Sequence, residues 1–432
     1  VIPIGRLRRR FGVLIGNVTA RVGALGCTFL ATLLLARNGG PSVVGTYALL
    51  HVLPALVGTI LSSGLPVAIP YFLAGPDRQD RRLPLTVIGI ALAGGAAGAG
   101  IWIAAAPLVG PQLFPKLSVS LVMLAGVAVL TRLVTVTAKS CSQGSDDLKG
   151  ANRVIFTEEF MFLPAYGVVL GTGVGDYTTV VLALLLADAA TASLAWGRLV
   201  RRGFFHEAAR PSLQLARRVA SYGLRAQIGG VITQLNLRLD FVLLSVITSP
   251  AVLGVYAIAS KFAELLKIPA MALTYVLYPK YAKDGRKVAA AKARGAIPKV
   301  ALLYAGAVVP LWFAAGFVIP AVYGAAFRPA ITPAQIIVVG LVLEGVGGVI
   351  TAYMYGIGRP GLNSVGLAAG LIATLVLDIL LIPRFGATGA AVASAVAYTT
   401  STLALIWFFL HIGWPSRGRR WEDGALPSAD PG

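Results

Sequence analysis

Charge is what this 432-residue chain has least of: 12% of its residues are Asp, Glu, Lys or Arg, about half the share of an ordinary soluble protein. Too few charges remain to wet a surface of normal size, so a soluble globular domain is excluded. Acidic residues are scarcer still, 17 against 37 Lys and Arg, giving a formal net charge of +20. In a soluble domain that surplus would point to nucleic acid. In a chain this apolar it raises a different question, which face of a membrane the basic residues occupy. Three histidines and two cysteines leave little for metal or redox chemistry. Cys27 sits inside one apolar run and Cys141 at the end of another, which excludes a disulfide framework and implies two buried thiols. What the chain has in plenty is hydrocarbon: 57% of residues are apolar and the mean hydropathy is +0.80. The expectation is an all-α integral membrane protein.

A bilayer-crossing helix needs roughly 20 largely apolar residues. Cut at charged clusters and at Gly/Pro punctuation, the sequence yields about twelve such runs: 12–36, 42–73, 84–110, 117–141, 153–172, 177–200, 220–248, 251–278, 296–322, 333–357, 361–383 and 388–412. The first follows Arg6, Arg8, Arg9 and Arg10, as a signal peptide would. It is too long for an h-region and no A-x-A cleavage site follows, so a retained helix is expected. With an even number of spans, basic residues should gather in every second connection. Arg78, Arg81 and Arg82, then Lys139, Lys149 and Arg153, the runs Arg198 to Arg218 and Lys280 to Lys299, Arg359, and Arg417 to Arg420 all fall on the side of the N-terminal arginines. The opposite side holds only Arg37, Lys116, Arg328 and Arg384. Both termini are therefore expected in the cytoplasm. The domains expected are a first six-helix bundle over 1–200, a cytoplasmic linker over 201–219, a second bundle over 220–412 and a cytoplasmic tail over 413–432. In the linker, Leu213, Leu215 and Val219 beside Arg217 and Arg218 make the pattern of an amphipathic interfacial helix.

The two bundles share a motif. Pro41, Gly45, Tyr47 and Ala48 reappear at the same spacing as Pro250, Gly254, Tyr256 and Ala257, and the same register pairs Leu56 with Leu265, Val67 with Val276 and Pro70 with Pro279. Six helices is an even number, so both copies enter from the same face and are parallel repeats, related by a pseudo-two-fold axis along the membrane normal. A transported solute would pass between them.

Six cations fall within the spans: Arg21, Arg132, Arg225, Arg238, Lys261 and Lys267. Facing lipid, each would cost several kcal/mol, so each should face water or a partner. The acids read within spans are Asp188, Asp240, Glu264, Glu344 and Asp378. On the first span Asn17, Arg21, Thr28 and Thr32 share one stripe. On the seventh, Arg225, Thr233, Asn236 and Asp240 lie within about 80° of one another, with Gln227, Gln234 and Arg238 roughly opposite; one face suits a central cavity, the other a pocket inside the second bundle. On the eighth, Glu264 is spaced to pair with Lys261 or Lys267. These charges could pair off and merely join helices, but Arg21 and Arg132 have no acid in their own spans, and a wet cationic cavity between the bundles explains the set better. Such a cavity selects an anion, with arginine suited to phosphate oxygens. Outward movement of an anion is favoured by about 2.3 kcal/mol per charge per 100 mV, while return of the emptied cavity calls for a counter-moving cation. Asp240 and Asp378, isolated carboxylates in late spans, suit Na+ or a proton; as ion-pair partners of Arg238 or Lys261 they would serve equally well.

Leu253, Gly254, Tyr256, Ala257, Lys261 and Glu264, continuing to Val276 and Pro279, resemble the segment shared by polysaccharide-biosynthesis flippases of the Wzx type. The stretch Leu381, Pro383, Arg384, Gly386, Gly389, Ser394 resembles their junction between the last two spans, and Val44 to Ala48 agrees in the first half. This family belongs with the lipid II flippases and the multidrug and toxic compound extruders in the multidrug/oligosaccharidyl-lipid/polysaccharide exporter superfamily. The resemblance implies two six-helix bundles forming a V, alternating access, and transfer of undecaprenyl-pyrophosphate-linked oligosaccharide to the outer leaflet of the bacterial cytoplasmic membrane for surface polysaccharide. It implies the bilayer, the lipid-linked oligosaccharide and polysaccharide polymerase or assembly proteins as partners, and no nucleic acid. It also implies a sodium site to which Asp240 and Asp378 correspond by span. A multidrug or cation antiporter of the same fold would be expected to show acids dominating the bundles. A membrane glycosyltransferase or polymerase would need a large external loop or a catalytic carboxylate motif, and no Walker loop, His/Cys cluster or nucleophile-base pair is present, so a non-enzymatic carrier is expected.

Overall fold

The structure, a computed structural model, describes residues 4–75 and 79–413, with side chains described from residue 16 to 411. Arg78, the side chains of Arg6, Arg8, Arg9 and Arg10, and the expected tail beyond 413 lie outside the described residues. Helices follow one another along the chain: α1 (Ile4–Leu61), α2 (Leu65–Ala74), α3 (Leu83–Leu113), α4 (Val119–Ala125), α5 (Val127–Gly144), α6 (Leu148–Phe160), α7 (Phe162–Leu170), α8 (Asp176–Arg201), α9 (Leu213–Ile247), α10 (Pro250–Ala263), α11 (Lys267–Lys283), α12 (Arg286–Tyr323), α13 (Ile331–Gly340), α14 (Glu344–Gly356) and α15 (Pro360–Gly413). There is no strand among the described residues.

Seven helical stretches are long and apolar enough to cross a bilayer on their own, and a pair bent by 43°, Ala325–Gly340 with Glu344–Gly356, can make an eighth. The difference from the twelve expected runs has two causes. First, α1 and α15 each carry two runs, joined across a kink at Gly40 (φ 69°) and Gly386 (φ 54°). Positive φ suits glycine, which lacks the Cβ that would clash there. Second, single expected runs are split: 153–172 between α6 and α7, and 251–278 between α10 and α11 by a 3-10 turn at Glu264–Leu266. Every expected run nonetheless coincides with helix in the expected order.

The repeated motif acts alike in both copies. Pro41 follows the Gly40 kink, and Pro250 opens α10 behind Ser249, whose hydroxyl accepts the Val252 N–H at 3.4 Å. Proline suits a helix start because the first N–H groups have no partner within the helix. Four residues on, Gly45 and Gly254 bring α1 and α10 together reciprocally. A methyl group on Gly45 would overlap the Pro250 carbonyl oxygen, and one on Gly254 would overlap that of Pro41. Small residues permit such close backbone approach, as membrane helices require when packing rather than water exclusion drives association. At this end, expected to be external, Arg37 also donates to the Val322 carbonyl at 3.2 and 3.3 Å.

At the opposite end the halves meet again. Gly64 (φ 70°) and Gly223 approach so closely that a side chain on either would overlap the other's backbone. Tyr71 stacks on Tyr222 with ring centroids 4.3 Å apart. Residues 213–219, expected as an interfacial helix, form the first turns of α9, and Leu215 and Val219 are buried in a core with Leu65, Phe72 and Leu83 of the first half. A larger core runs through both halves, and Cys27 and Cys141 are free and buried.

Candidate functional site

The polar faces of α9 divide as its spacing allows. One turns to the first half: Gln227 donates to the Thr59 carbonyl and its Oε1 accepts from Ser62 at 3.3 Å, and Gln234 lines a cavity of about 240 Å³ with His51, Arg132, Glu159 and Asp188. Arg238 is spaced toward the same side, with its guanidinium 3.5 Å from Glu264. The other face is enclosed within the second half, where Asn236 and Asp240 are buried.

Around the first-half cavity the buried charges are paired. Arg132 Nε donates to Asp188 at 2.9 Å and its NH1 donates to the His51 carbonyl, with both side chains of the ion pair only 14% exposed. Arg132 has no acid in its own span, as read, but it finds one on α8, a helix remote in sequence but packed on α5. Lys139 bonds Glu158 at 2.8 Å, and Glu159 accepts from Thr28 at 2.8 Å and lies 3.7 Å from His51 Nε2. Glu158 and Glu159 are missing from the acids read in the sequence, although they stand within the 153–172 run. Two adjacent glutamates in an apolar stretch were the available signal.

Arg21 is exposed, its Nε donating to Asn17 at 2.9 Å, and Asn17 in turn donates to Asn152 of α6. Its stripe therefore faces α6, with Thr28 against Glu159. Arg225 is exposed on α9. Lys261 lies within electrostatic reach of Glu159, across the halves, as well as of Glu264. His51 likewise feels Lys261 and Arg238. Lys267 is elsewhere, within the second half, its ammonium 3.9 Å from the centre of the Tyr398 ring and near Glu344. Of the six expected cavity cations, then, Arg132 is tied to Asp188 beside the first-half cavity, Arg238 meets Glu264 at 3.5 Å, Lys261 is half-buried on α10, Lys267 lies over the Tyr398 ring, and Arg21 and Arg225 are exposed.

Asp240 pairs with neither Arg238 nor Lys261. Its Oδ1 accepts the Phe241 N–H at 2.9 Å, and its Oδ2 accepts from Tyr256 and from Ser394 at 3.3 Å, so α9, α10 and α15 are joined through the motif tyrosine. Asp378, on α15, is 0% exposed and neither of its oxygens has a hydrogen-bond partner; Asn236 Oδ1 and Thr374 Oγ1 are likewise buried and unpartnered. The register of the parallel helices brings these together. Ser364 lies against Gly229; Asp240 is eleven residues beyond Gly229, and Thr374 and Asp378 are ten and fourteen beyond Ser364. At about 1.5 Å per residue, Asp240 falls between the other two in height, and the Asp240 and Asp378 charges interact. Buried oxygens without donors are costly. A set of carboxylate, amide and hydroxyl oxygens fits a hard monovalent cation such as Na+, or protonation of Asp378. No group of three or more His, Cys, Asp or Glu able to hold a metal occurs among the described residues.

Against known structures, the chain superposes on the lipid II flippase MurJ in an inward closed conformation with a TM-score of 0.71 at 15% identity, covering 93% of this chain and 90% of that one. A multidrug resistance MATE family transporter of the MOP superfamily, inward-facing, gives 0.73 at 16%, covering 91% and 98%. A MOP superfamily transporter from Pyrococcus furiosus, described as having a binding pocket of reverse polarity, gives 0.66 at 14%, covering 93% and 95%. Likeness at these identities establishes the fold. In sequence, an uncharacterized membrane protein of Methanocaldococcus jannaschii is 27% identical over 202 residues, 46% of this chain and 40% of that protein, so the chain spans well under half of its length. The family described as "Polysaccharide biosynthesis protein" matches residues 15–283, more than half of the chain. The chain is thus an all-helical membrane protein with the transporter fold of the MOP superfamily, and it belongs to the polysaccharide biosynthesis protein family.

Proposed function

We propose that the chain is a flippase that carries an undecaprenyl-pyrophosphate-linked oligosaccharide from the cytoplasmic to the outer leaflet of the bacterial cytoplasmic membrane, with both termini in the cytoplasm. The observation that carries this reading is that Arg238, on the α9 face whose Gln234 lines the cavity of the first half, and Lys261 on α10 are half-buried cations, Arg238 meeting Glu264 only at 3.5 Å. Arg238 is 32% exposed, and its guanidinium lies 5.6 Å from the centre of the Phe241 ring, so it can turn to a diphosphate, for which its planar fork is suited. Family membership supports the glycan pathway, and the MurJ-like fold accommodates a lipid-borne cargo. The two halves, 1–200 and 220–412 joined by 201–219, would rock about the contact at Gly45 and Gly254. The polymerase and assembly proteins of the pathway would take up the delivered glycan.

Resetting the emptied, positive path falls to Asp240 and Asp378. Na+ bound there would supply charge compensation for two buried carboxylates. The chain's own part is to hold Asp240 in place through Tyr256 and Ser394 while leaving Asp378 open.

A second reading, extrusion of an organic cation, draws on Glu158, Glu159 and Asp188 around the cavity of the first half. Cells dependent on this chain for surface glycan separate the two. Arg238→Ala and Lys261→Ala should each cut glycan export at least about tenfold, the loss of one charge-assisted contact to phosphate, at unchanged protein level. Normal export in both variants, with lost resistance to cationic drugs in Glu159→Gln, would transfer the assignment to the extruder.

A further inference from the structure

We propose that the outer flank of the first half holds a binding site for an anionic, phosphate-headed lipid, separate from the path between the halves and independent of what that path carries. Between α1, α6 and α8 lies a groove of about 840 Å³. Its mouth, at the end expected to be cytoplasmic, is basic: Lys149, Arg153 and Arg201 line it, are exposed, and have no ion-pair partner among the described residues. Arg198 and Arg202, also at the mouth, are committed to Asp147 at 2.7 and 3.0 Å.

Away from the mouth the groove changes character. Seven residues beyond Lys149 on α6 stands Phe156, and seven residues before Arg201 on α8 stands Leu194, 54% exposed. Seven residues are two helical turns, so each apolar side chain lies on the same face as its basic partner and about 10 Å deeper into the bilayer. On the facing side of α1, Gly16 and Gly23 receive Asn152 and Phe156 of α6, the Phe156 ring standing 3.0 Å from where a Cβ on Gly23 would be, and the slot is open on the α8 side, where a Cβ on Gly197 would meet nothing within 4 Å. A preference of basic residues for the cytoplasmic face explains the mouth alone. It does not explain a slot leading from that mouth along the direction an acyl or prenyl chain takes. A cationic rim above an apolar slot complements a lipid with a phosphate head.

The test uses the purified full-length chain in detergent, offered phosphatidylglycerol, undecaprenyl phosphate or phosphatidylcholine, with bound lipid counted by native mass spectrometry. Retention of one or both anionic lipids, falling at least about tenfold in the combined Lys149→Gln, Arg153→Gln, Arg201→Gln variant, is the expected result. The Lys280→Gln, Lys283→Gln variant, which alters another basic stretch, should retain them. Gly197→Leu, which fills the slot without touching the basic mouth, should weaken lipid retention while leaving helicity unchanged. Preference for undecaprenyl phosphate assigns the groove to the carrier lipid of the glycan; equal retention of phosphatidylglycerol assigns it to the bilayer's own anionic lipid. The proposal is overturned if the triple variant keeps wild-type retention, if the Lys280 and Lys283 variant loses as much, or if phosphatidylcholine is retained equally well. Because lipid retention is read on purified protein, failure here leaves the glycan-export reading to stand or fall on its own test.

Discussion

Beneath the Gly45 motif, in the first half, Tyr47 packs on Phe162 beside a set of closed ion pairs, Arg132 with Asp188 and Lys139 with Glu158. Beneath the Gly254 motif, in the second, Tyr256 bonds Asp240, and Asp378 nearby has no donor for either oxygen. The two copies of the motif thus stand beside different polar centres, one closed by ion pairs and one holding an unpartnered carboxylate. Mutual compensation of buried charges holds elements together and makes each member costly to remove. A buried carboxylate without a donor contributes nothing to cohesion; its value lies in what it can bind. The inner charges of the first half are thus closed on one another, and the second half holds a buried carboxylate with neither oxygen partnered.

The sharpest way to break this contrast is Asp188→Ala, which strands the guanidinium of Arg132 in a buried setting. It should destabilise the chain by about 3–5 kcal/mol, read from unfolding in detergent, whereas Arg132→Met combined with Asp188→Leu should recover most of that loss. Equal stability of the single and double variants would show that the pair does not hold the first half together. Next in size is Asp378→Asn. Wild-type protein should gain about 2–3 kcal/mol in saturating sodium over choline as the salt cation, and the variant should lose that gain while being no less stable without sodium. A wild-type melting point indifferent to sodium would remove the exchange role from the second half.

A smaller effect is expected at Asp147, in the connection before α6. Burial works to raise its carboxyl, but the Arg198 guanidinium, the Gly150 N–H and Arg202 outweigh burial and hold it below the usual carboxylate range. A depressed native value means that the stabilisation is fully present above the unfolded value of about 3.9 and fades as pH falls through the native one. Asp147→Asn should cost about 1–2 kcal/mol at neutral pH, and the gap between variant and wild type should close in strong acid; a gap that persists there would mean the carboxylate charge is not what matters. Smallest is Arg238→Ala, expected to change stability by less than about 1 kcal/mol, because its contact to Glu264 is long and wet. A large loss would make Arg238 a structural group like Arg132, and the contrast between halves would then extend no further than Asp378.

Much of this architecture was legible because the bilayer imposes a length. Every run of roughly 20 apolar residues became helix, and Gly40 and Gly386 were visible as punctuation, although not as kinks within continuous helix. The two faces of α9 could be read from residue spacing, since helical geometry fixes which side chains share a side. Pairing was not legible in the same way: Arg132 and Asp188 are 56 residues apart, on helices whose adjacency no local pattern encodes. Nor was the openness of Asp378, because a missing donor is a property of its surroundings in three dimensions. Arg21 shows the limit from the other direction: its stripe was evident, but which neighbour the stripe meets, α6 of its own half, depends on packing.

The reciprocal contact at Gly45 and Gly254 makes the two copies of the motif depend on one another. Each glycine is the floor on which the other copy's proline carbonyl rests, so a side chain gained in either copy intrudes on both. A substitution at one glycine would therefore separate α1 from α10 at both contacts, whichever copy carried it.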